Sequence, residues 1–203
     1  MQNLKIFSTI CAATLLLSGS IQAQQQVMVA PGDGIKIKGV EKEAQKTPNF
    51  QAGDVSNKKV PNPREWLEIE VEFEAARVKP SDGVLGEVLF RYYVGMTTEN
   101  GSGIVLTGDV THVNVIGGEE YFSSVYVAPS TMGKITGDYR RVDMGSVKAV
   151  GVEIYYNGVL VGKETSTGKD FWATMQSMPG ILSKEKTPFA LLWIDRYPEV
   201  KVQ

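Results

Sequence analysis

The most regular pattern in the chain is an alternation of apolar and acidic residues in the stretch 66–75, WLEIEVEFEA. Leucine, isoleucine, valine and phenylalanine occupy every second position, and glutamates occupy the positions between them. A period of two places the two sets on opposite faces of a β-strand, whereas on a helix they would scatter around the axis. The pattern predicts a strand in an antiparallel sheet that is packed on one face and exposed to water on the other.

A second strand is predicted in the run 84–94, VLGEVLFRYYV. Here Phe90 and Tyr92 share one face, while Arg91 and Tyr93 share the other. We expect Arg91 to lie opposite the glutamates of the first strand, where a pair of opposite charges is modestly favourable.

Further β-type runs continue to the end of the chain. The run 147–156, VKAVGVEIYY, leads into Asn157-Gly158, the signature of a two-residue hairpin turn. The run Pro188–Asp195, PFALLWID, is the most apolar, which predicts a central last strand. The remaining predicted strands are 34–40, 104–106, 110–116, 120–127 and 159–164.

Helix signals are few. Pro129–Gly133 is predicted to form a single helical turn. The best helix candidate is Asp170–Met178, with Asp170 as its N-cap and Pro179-Gly180 as its stop. About eight or nine strands at turn-punctuated spacing predict an all-β fold. We expect an immunoglobulin-like antiparallel β-sandwich with one short helix, in the domain 64–203.

Two segments precede this domain. Residues 1–23 combine Lys5, an apolar core and a cleavage point after Ala23, which is typical of a signal peptide. The apolar core is shorter than the roughly 20 residues that span a bilayer. Residues 24–63 form a predicted polar arm with one short strand. Such an arm can fold back on its own domain or add a strand to a neighbouring molecule.

Composition and charge exclude several classes of partner and of chemistry. Of the 203 residues 42% are hydrophobic, which suits one domain with its own core, and the net charge is −2. Cleavage after Ala23 removes Lys5 and no acid, which brings the charge from −2 to −3, and it also removes Cys11, the only cysteine. We therefore expect no nucleic-acid partner, no disulfide and no thiol nucleophile. We expect export to the periplasm, outer membrane or cell surface of a Gram-negative bacterium.

Candidate chemistry is sparse. His112 is the only histidine, and a lone histidine does not make a metal site of the usual spacing. Nucleophile elbows and phosphate loops are absent, and no spacing singles out a catalytic pair among the 23 acids. We expect a protein that is not an enzyme and has no catalytic residue, metal or cofactor.

The densest charge cluster is the glutamate face of the first strand, with Glu68, Glu70, Glu72 and Glu74. A straight strand does not wrap carboxylates around a cation. We expect a solvated face that prevents sheet stacking, and the alternative is a docking surface for a basic partner.

Outward tyrosines offer a second candidate surface. Of the pairs Tyr92-Tyr93 and Tyr155-Tyr156, alternation turns Tyr93 and Tyr155 outward. They can stack on sugar rings, or they can be ordinary strand formers with a wet hydroxyl. Trp172 is expected to close the end of the sandwich.

The signal peptide, the polar arm, WLEIEVEFEA, VEIYYNGVLVGKE and the closing FALLWIDRYPEV together resemble a pilus-like exported family of mucin-degrading verrucomicrobial gut bacteria. Members of that family are encoded beside type IV pilus genes. The resemblance implies an immunoglobulin-like fold akin to archaeal pilus subunits, with a role in pilus assembly or attachment. It implies no active site. A type IV pilin retains a long apolar N-terminal helix, and this chain lacks one, so we expect no polymerisation through such a helix.

The sequence thus predicts a non-enzymatic envelope protein that binds other envelope or pilus-system proteins. Self-association through the arm or the sheet edges is a further expectation. The second hypothesis is a carbohydrate-binding module for host glycans that uses Tyr93 and Tyr155.

Overall fold

The computed structural model describes residues 34–50, 60–75 and 83–201. The predicted signal peptide lies outside these residues. The described strands and the one α-helix are β1 Ile35–Lys46, β2 Glu65–Ala75, β3 Val84–Thr97, β4 Gly103–Ile116, β5 Glu120–Val127, α1 Pro129–Thr136, β6 Val147–Tyr156, β7 Val159–Thr165, β8 Ser177–Pro179 and β9 Ile181–Ser183. None of the described helices is long and apolar enough to cross a membrane.

The strands form two sheets. The four-stranded sheet has the order β1-β2-β5-β9, and the five-stranded sheet has the order β7-β6-β3-β4-β8. All neighbouring strands are antiparallel except β4 and β8, which are parallel. The predicted β-sandwich with one short helix is therefore confirmed.

The core lies between the inner faces of the two sheets. The apolar members of the opening alternation, from Leu67 to Phe73, have no exposed surface. The rings of Phe73 and Phe90 meet across the sheets with centroids 4.8 Å apart. The buried Tyr92 hydroxyl donates a hydrogen bond to the Ser123 carbonyl at 3.1 Å. The apolar residues that alternate along β2 and β3 thus form the buried inner faces, as predicted.

Strand β1, predicted at 34–40, is longer than predicted. It spans Ile35–Lys46, inside the segment predicted as a polar arm, and pairs with β2 along its length. The second half of β1 was not predicted because its apolar alternation is weak. Strong alternation is not required there, since β1 is an edge strand whose second half is largely exposed.

The predicted contact of Arg91 with the glutamates is wrong. Arg91 lies on β3, in the five-stranded sheet, whereas the glutamates lie on β2 in the other sheet. Each set faces away from the core, so the sandwich separates them. Arg91 instead pairs with Asp109, its cross-strand neighbour on β4, at 3.0 Å.

Two further predictions fail near the C-terminus. Only Phe171–Ala173, a 3-10 turn, is helical in the predicted helix 170–178, and the chain then extends into β8. The predicted central strand Pro188–Asp195 is a series of turns that ends in the 3-10 helix Ile194–Arg196. The strand beside β5 is β9, which pairs with its last three residues, and residues 188–195 belong to neither sheet.

Candidate functional site

Part of the outer face of the four-stranded sheet is covered by the C-terminal segment, residues 184–201, whose last three residues pair instead with β4. Phe189 is buried there, with its ring stacked on Tyr126 at 4.5 Å and edge-on to Trp66 at 5.9 Å. Arg196 lies over the Phe122 ring, 3.9 Å from its centroid. These contacts hold the segment against β2 and β5, on the face that carries the glutamates.

Glu68 is therefore buried, with only 6% of its surface exposed. Its Oε1 accepts hydrogen bonds from the hydroxyls of Tyr126 and Ser124, the latter at 3.0 Å. Burial, and then the bond to Glu68, raise the pKa of Tyr126 well above its usual range, so the phenol stays protonated as a donor.

Glu70 makes the contacts that join the sheet to the C-terminal segment. It accepts a hydrogen bond from Arg196 Nη2 at 3.0 Å and one from the Tyr197 hydroxyl at 2.6 Å. Burial and this bond raise the pKa of Tyr197. Further along the strand, Glu74 forms a salt bridge with Lys38 at 3.3 Å. Glu72 is partly exposed.

The prediction of a solvated glutamate face is accordingly wrong for Glu68 and Glu70. Alternation predicts which way side chains point, but it does not predict what covers them. The sequence does not predict the covering residues Phe189, Arg196 and Tyr197, because the apolar run PFALLWID predicts a strand. The flanking prolines Pro188 and Pro198 and the unalternating apolar run were the available signals against a strand.

An acidic pocket of 270 Å³ opens where β1, β2 and the C-terminal segment meet. It is lined by Glu41, Glu43, Gln45, Glu68, Glu70, Trp193 and Arg196. Four carboxylates and one guanidinium line it, so the pocket is strongly negative. Sequence reasoning missed Glu41, Glu43 and Trp193.

Strand register places like charges opposite each other in this pocket. Glu41 of β1 is the cross-strand partner of Glu70, and Glu43 is the partner of Glu68. Like charges directly opposite are destabilising. Among the described residues, no group of three or more His, Cys, Asp or Glu side chains is arranged to hold a metal ion. In the described part of the chain, Arg196 forms a salt bridge with Glu70, and the Lys184 ammonium lies over the Tyr197 ring that bonds to Glu70, so the four carboxylates still outnumber the nearby cations.

The predicted aromatic site divides into a covered part and an open part. Tyr93 is only 8% exposed, because Trp172 stacks on it. The expectation that Tyr93 is free to stack on a sugar is wrong, as is the placement of Trp172 at the end of the sandwich. Tyr93 and Tyr155 both donate hydrogen bonds to Glu153 Oε2 at 2.8 Å.

Tyr155 lies at the open part. It lines a 390 Å³ depression on the outer face of the five-stranded sheet. The Arg91 guanidinium lies 5.7 Å from the centre of its ring, and Leu89, Thr111 and Asn157 also line the depression. Tyr155 therefore remains a candidate ligand residue, without its predicted companion.

His112 joins three parts of the fold. It is 2% exposed, and its Nε2 lies 2.6 Å from Ser123 Oγ on β5, while its Nδ1 lies 3.3 Å from the Pro198 carbonyl. Burial lowers the pKa of His112 to about 4. A neutral His112 therefore links both sheets to the C-terminal segment.

These features define a two-sheet β-sandwich protein whose surface carries an acidic pocket on one sheet and a tyrosine-lined depression on the other. A protein-family model matches residues 25–203, and the chain belongs to the family that it describes. A protein from Akkermansia muciniphila, known from a crystal structure, is similar: its TM-score is 0.71 at 28% identity, over 84% of this chain and 94% of that chain. This match is consistent with a verrucomicrobial origin. No curated protein matches the chain.

Proposed function

We propose that this protein is a non-enzymatic, exported envelope protein of a pilus-like system, and that it acts through protein–protein contacts. The family match and the resemblance of the whole chain to pilus-like exported proteins support the system. A cluster of exposed apolar side chains supports the mode of action.

This apolar cluster consists of Leu191, Trp193 and Ile194, in the C-terminal segment. Their exposed fractions are 77%, 49% and 61%, although they lie within four consecutive residues. Single exposed apolar side chains are ordinary, whereas a contiguous group marks an interaction site in many soluble proteins. This is the observation that carries the proposal.

The edge of β1 that no described strand pairs with is a second route for contact, including self-association. Its exposed half carries Glu41, Lys42, Glu43 and Lys46. Charged side chains on an edge strand oppose pairing with another strand. We therefore place the main contact at the apolar cluster and treat the edge and the arm as a subordinate route.

Photocrosslinking in the producing bacterium tests the proposal. Trp193 is replaced by a photoreactive phenylalanine analogue, and Tyr139, which is 52% exposed elsewhere on the surface, is replaced in a matched control. The expected result is a discrete crosslink to an envelope protein from position 193 and none from position 139. Absence of a crosslink from position 193, or the same pattern from both positions, contradicts the proposal.

Glycan binding is the second candidate function, because Tyr155, Arg91 and Asn157 line one open depression. Aromatic faces beside hydrogen-bonding groups are suited to sugar rings. A glycan array with the protein and its Tyr155→Ala variant tests this. Saturable binding that the variant loses supports this function, whereas a blank array excludes it for the glycans present.

A further inference from the structure

The apolar cluster and the acidic pocket form one continuous surface, because Trp193 belongs to both. Trp193 lines the pocket beside the carboxylates, whereas Leu191 and Ile194 are exposed next to it in the chain and do not line the pocket. A partner that covers the cluster must also meet the pocket. Its chemistry can therefore be inferred from the two together.

The cluster is held in place on both sides. On one side Phe189 is buried, and the Leu192 N–H donates to the Phe189 carbonyl at 2.9 Å. On the other side the Arg196 N–H donates to the Trp193 carbonyl at 3.1 Å, and its side chain is bound to Glu70. A surface that is already ordered loses little conformational entropy when a partner binds.

The charge of the surface remains largely uncompensated within the described chain. Glu68 and Glu70 are compensated by hydroxyl donors, by Arg196 and by the nearby Lys184 ammonium. Glu41 and Glu43 are exposed, and no described lysine or arginine lies within salt-bridge distance of either. Anionic partners such as nucleic acids or acidic lipids are repelled here, whereas a cationic side chain is attracted.

Resting on the function proposed above, we propose that this surface docks a basic amphipathic segment of a partner protein. A lysine or arginine of the partner enters the acidic pocket, where Glu41 and Glu43 pair with it and the Trp193 ring offers a cation–π contact. Apolar residues beside that cation cover Leu191 and Ile194. The carboxylates provide specificity and a fast encounter, and the apolar cluster provides most of the affinity.

A random linear-peptide library displayed on phage tests the partner's chemistry. Selection uses the purified protein, and the binding of each selected peptide to the variants is then measured. The expected peptides combine lysine or arginine with large apolar residues. Their binding should weaken about tenfold in Trp193→Ala, as for a central aromatic contact. It should also weaken in Glu41→Gln/Glu43→Gln and at high salt.

Matched controls lie elsewhere on the surface. Glu99→Gln/Glu164→Gln removes two exposed carboxylates, and Ile116→Ala removes a side chain that is 43% exposed. Both should leave peptide binding unchanged. Selected peptides without basic residues, peptides that bind all variants equally, or no peptide sensitive to position 193 each overturn the proposal. Neutral polysaccharide binding that Trp193→Ala abolishes also overturns it, in favour of a sugar site.

The photocrosslinking experiment separates this inference from the function on which it rests. A crosslink from position 193 to an envelope protein, together with a library result of the wrong chemistry, retains the protein-contact function and rejects the basic segment. No crosslink from position 193 rejects the function itself.

Discussion

The ring of Trp172 stacks on the ring of Tyr93, with centroids 4.3 Å apart and planes within 4° of parallel. The contact depends on Gly151, because a Cβ at that position would overlap the Trp172 ring. The Lys163 ammonium lies over the Trp172 ring, 5.4 Å from its centroid, and donates a hydrogen bond to Asp170 at 2.5 Å. The segment 170–173 thus covers part of the outer face of the five-stranded sheet.

Gly151→Ala should displace Trp172 and expose Tyr93. We expect a loss of about 1–3 kcal/mol in the free energy of unfolding, as is typical of overpacking, and a change in tryptophan fluorescence. Gly86→Ala is the matched control, because nothing lies within 4 Å of a Cβ there and Gly86 is also in a strand. Equal stabilities of the two variants in chemical denaturation would contradict this account.

Glu68→Ala should destabilise the fold by about 1–3 kcal/mol, because it leaves the buried hydroxyl of Tyr126 without its acceptor. Glu68→Gln retains an acceptor oxygen and should cost less. Glu164→Ala, at an exposed position of β7, controls for the loss of a carboxylate. Urea denaturation measures the free energy of unfolding of the three variants. If Glu68 were solvated, the three free energies would be similar.

Phe189→Ala and Leu191→Ala should differ sharply, although the two residues lie in one apolar run. Phe189 is 1% exposed between Tyr126 and Trp66, so its truncation should cost about 3–5 kcal/mol. Leu191 is 77% exposed, so its truncation should change stability by no more than about 0.5 kcal/mol. Thermal unfolding distinguishes them. Comparable losses at both positions would favour the strand that the sequence predicted.

The buried faces of β2 and β3 and the turn between β6 and β7 could be predicted from sequence, because short local patterns determine them. The alternation in β2 and the Phe90–Tyr92 face of β3 specify a buried inner face whatever the order of the strands, so these were predicted correctly. The Asn157-Gly158 turn between β6 and β7 was likewise predictable, and both residues have positive φ there.

The C-terminal third depends on contacts distant in sequence. Trp172 docks on Gly151 and Tyr93, so the predicted helix around it does not form. Phe189 docks on Tyr126, and Arg196 on Glu70, across more than 60 positions of sequence in each case. No periodicity encodes such docking. The acidic pocket was missed for the same reason, since β1 and the C-terminal segment meet only in the folded sheet.

His112 should make stability dependent on pH in the acid range. Burial among Phe73, Phe90 and Ser123 lowers its pKa from 6.5 to about 4 in the folded protein. Between these values the unfolded chain binds a proton that the folded protein does not bind, so stability rises with pH across the window. The contribution present above pH 6.5 should disappear by about pH 4, a loss of about 3 kcal/mol.

The His112→Gln variant tests this dependence. Glutamine can bond to Ser123 and to the Pro198 carbonyl without titrating, so the variant should have a flatter profile of unfolding free energy between pH 6.5 and 4. Carboxylates titrate in both proteins, and the difference between the two profiles therefore isolates the histidine. Urea denaturation at several pH values measures it. Parallel profiles would mean that His112 takes up its proton at the same pH in the folded and unfolded protein, and that burial does not keep it neutral.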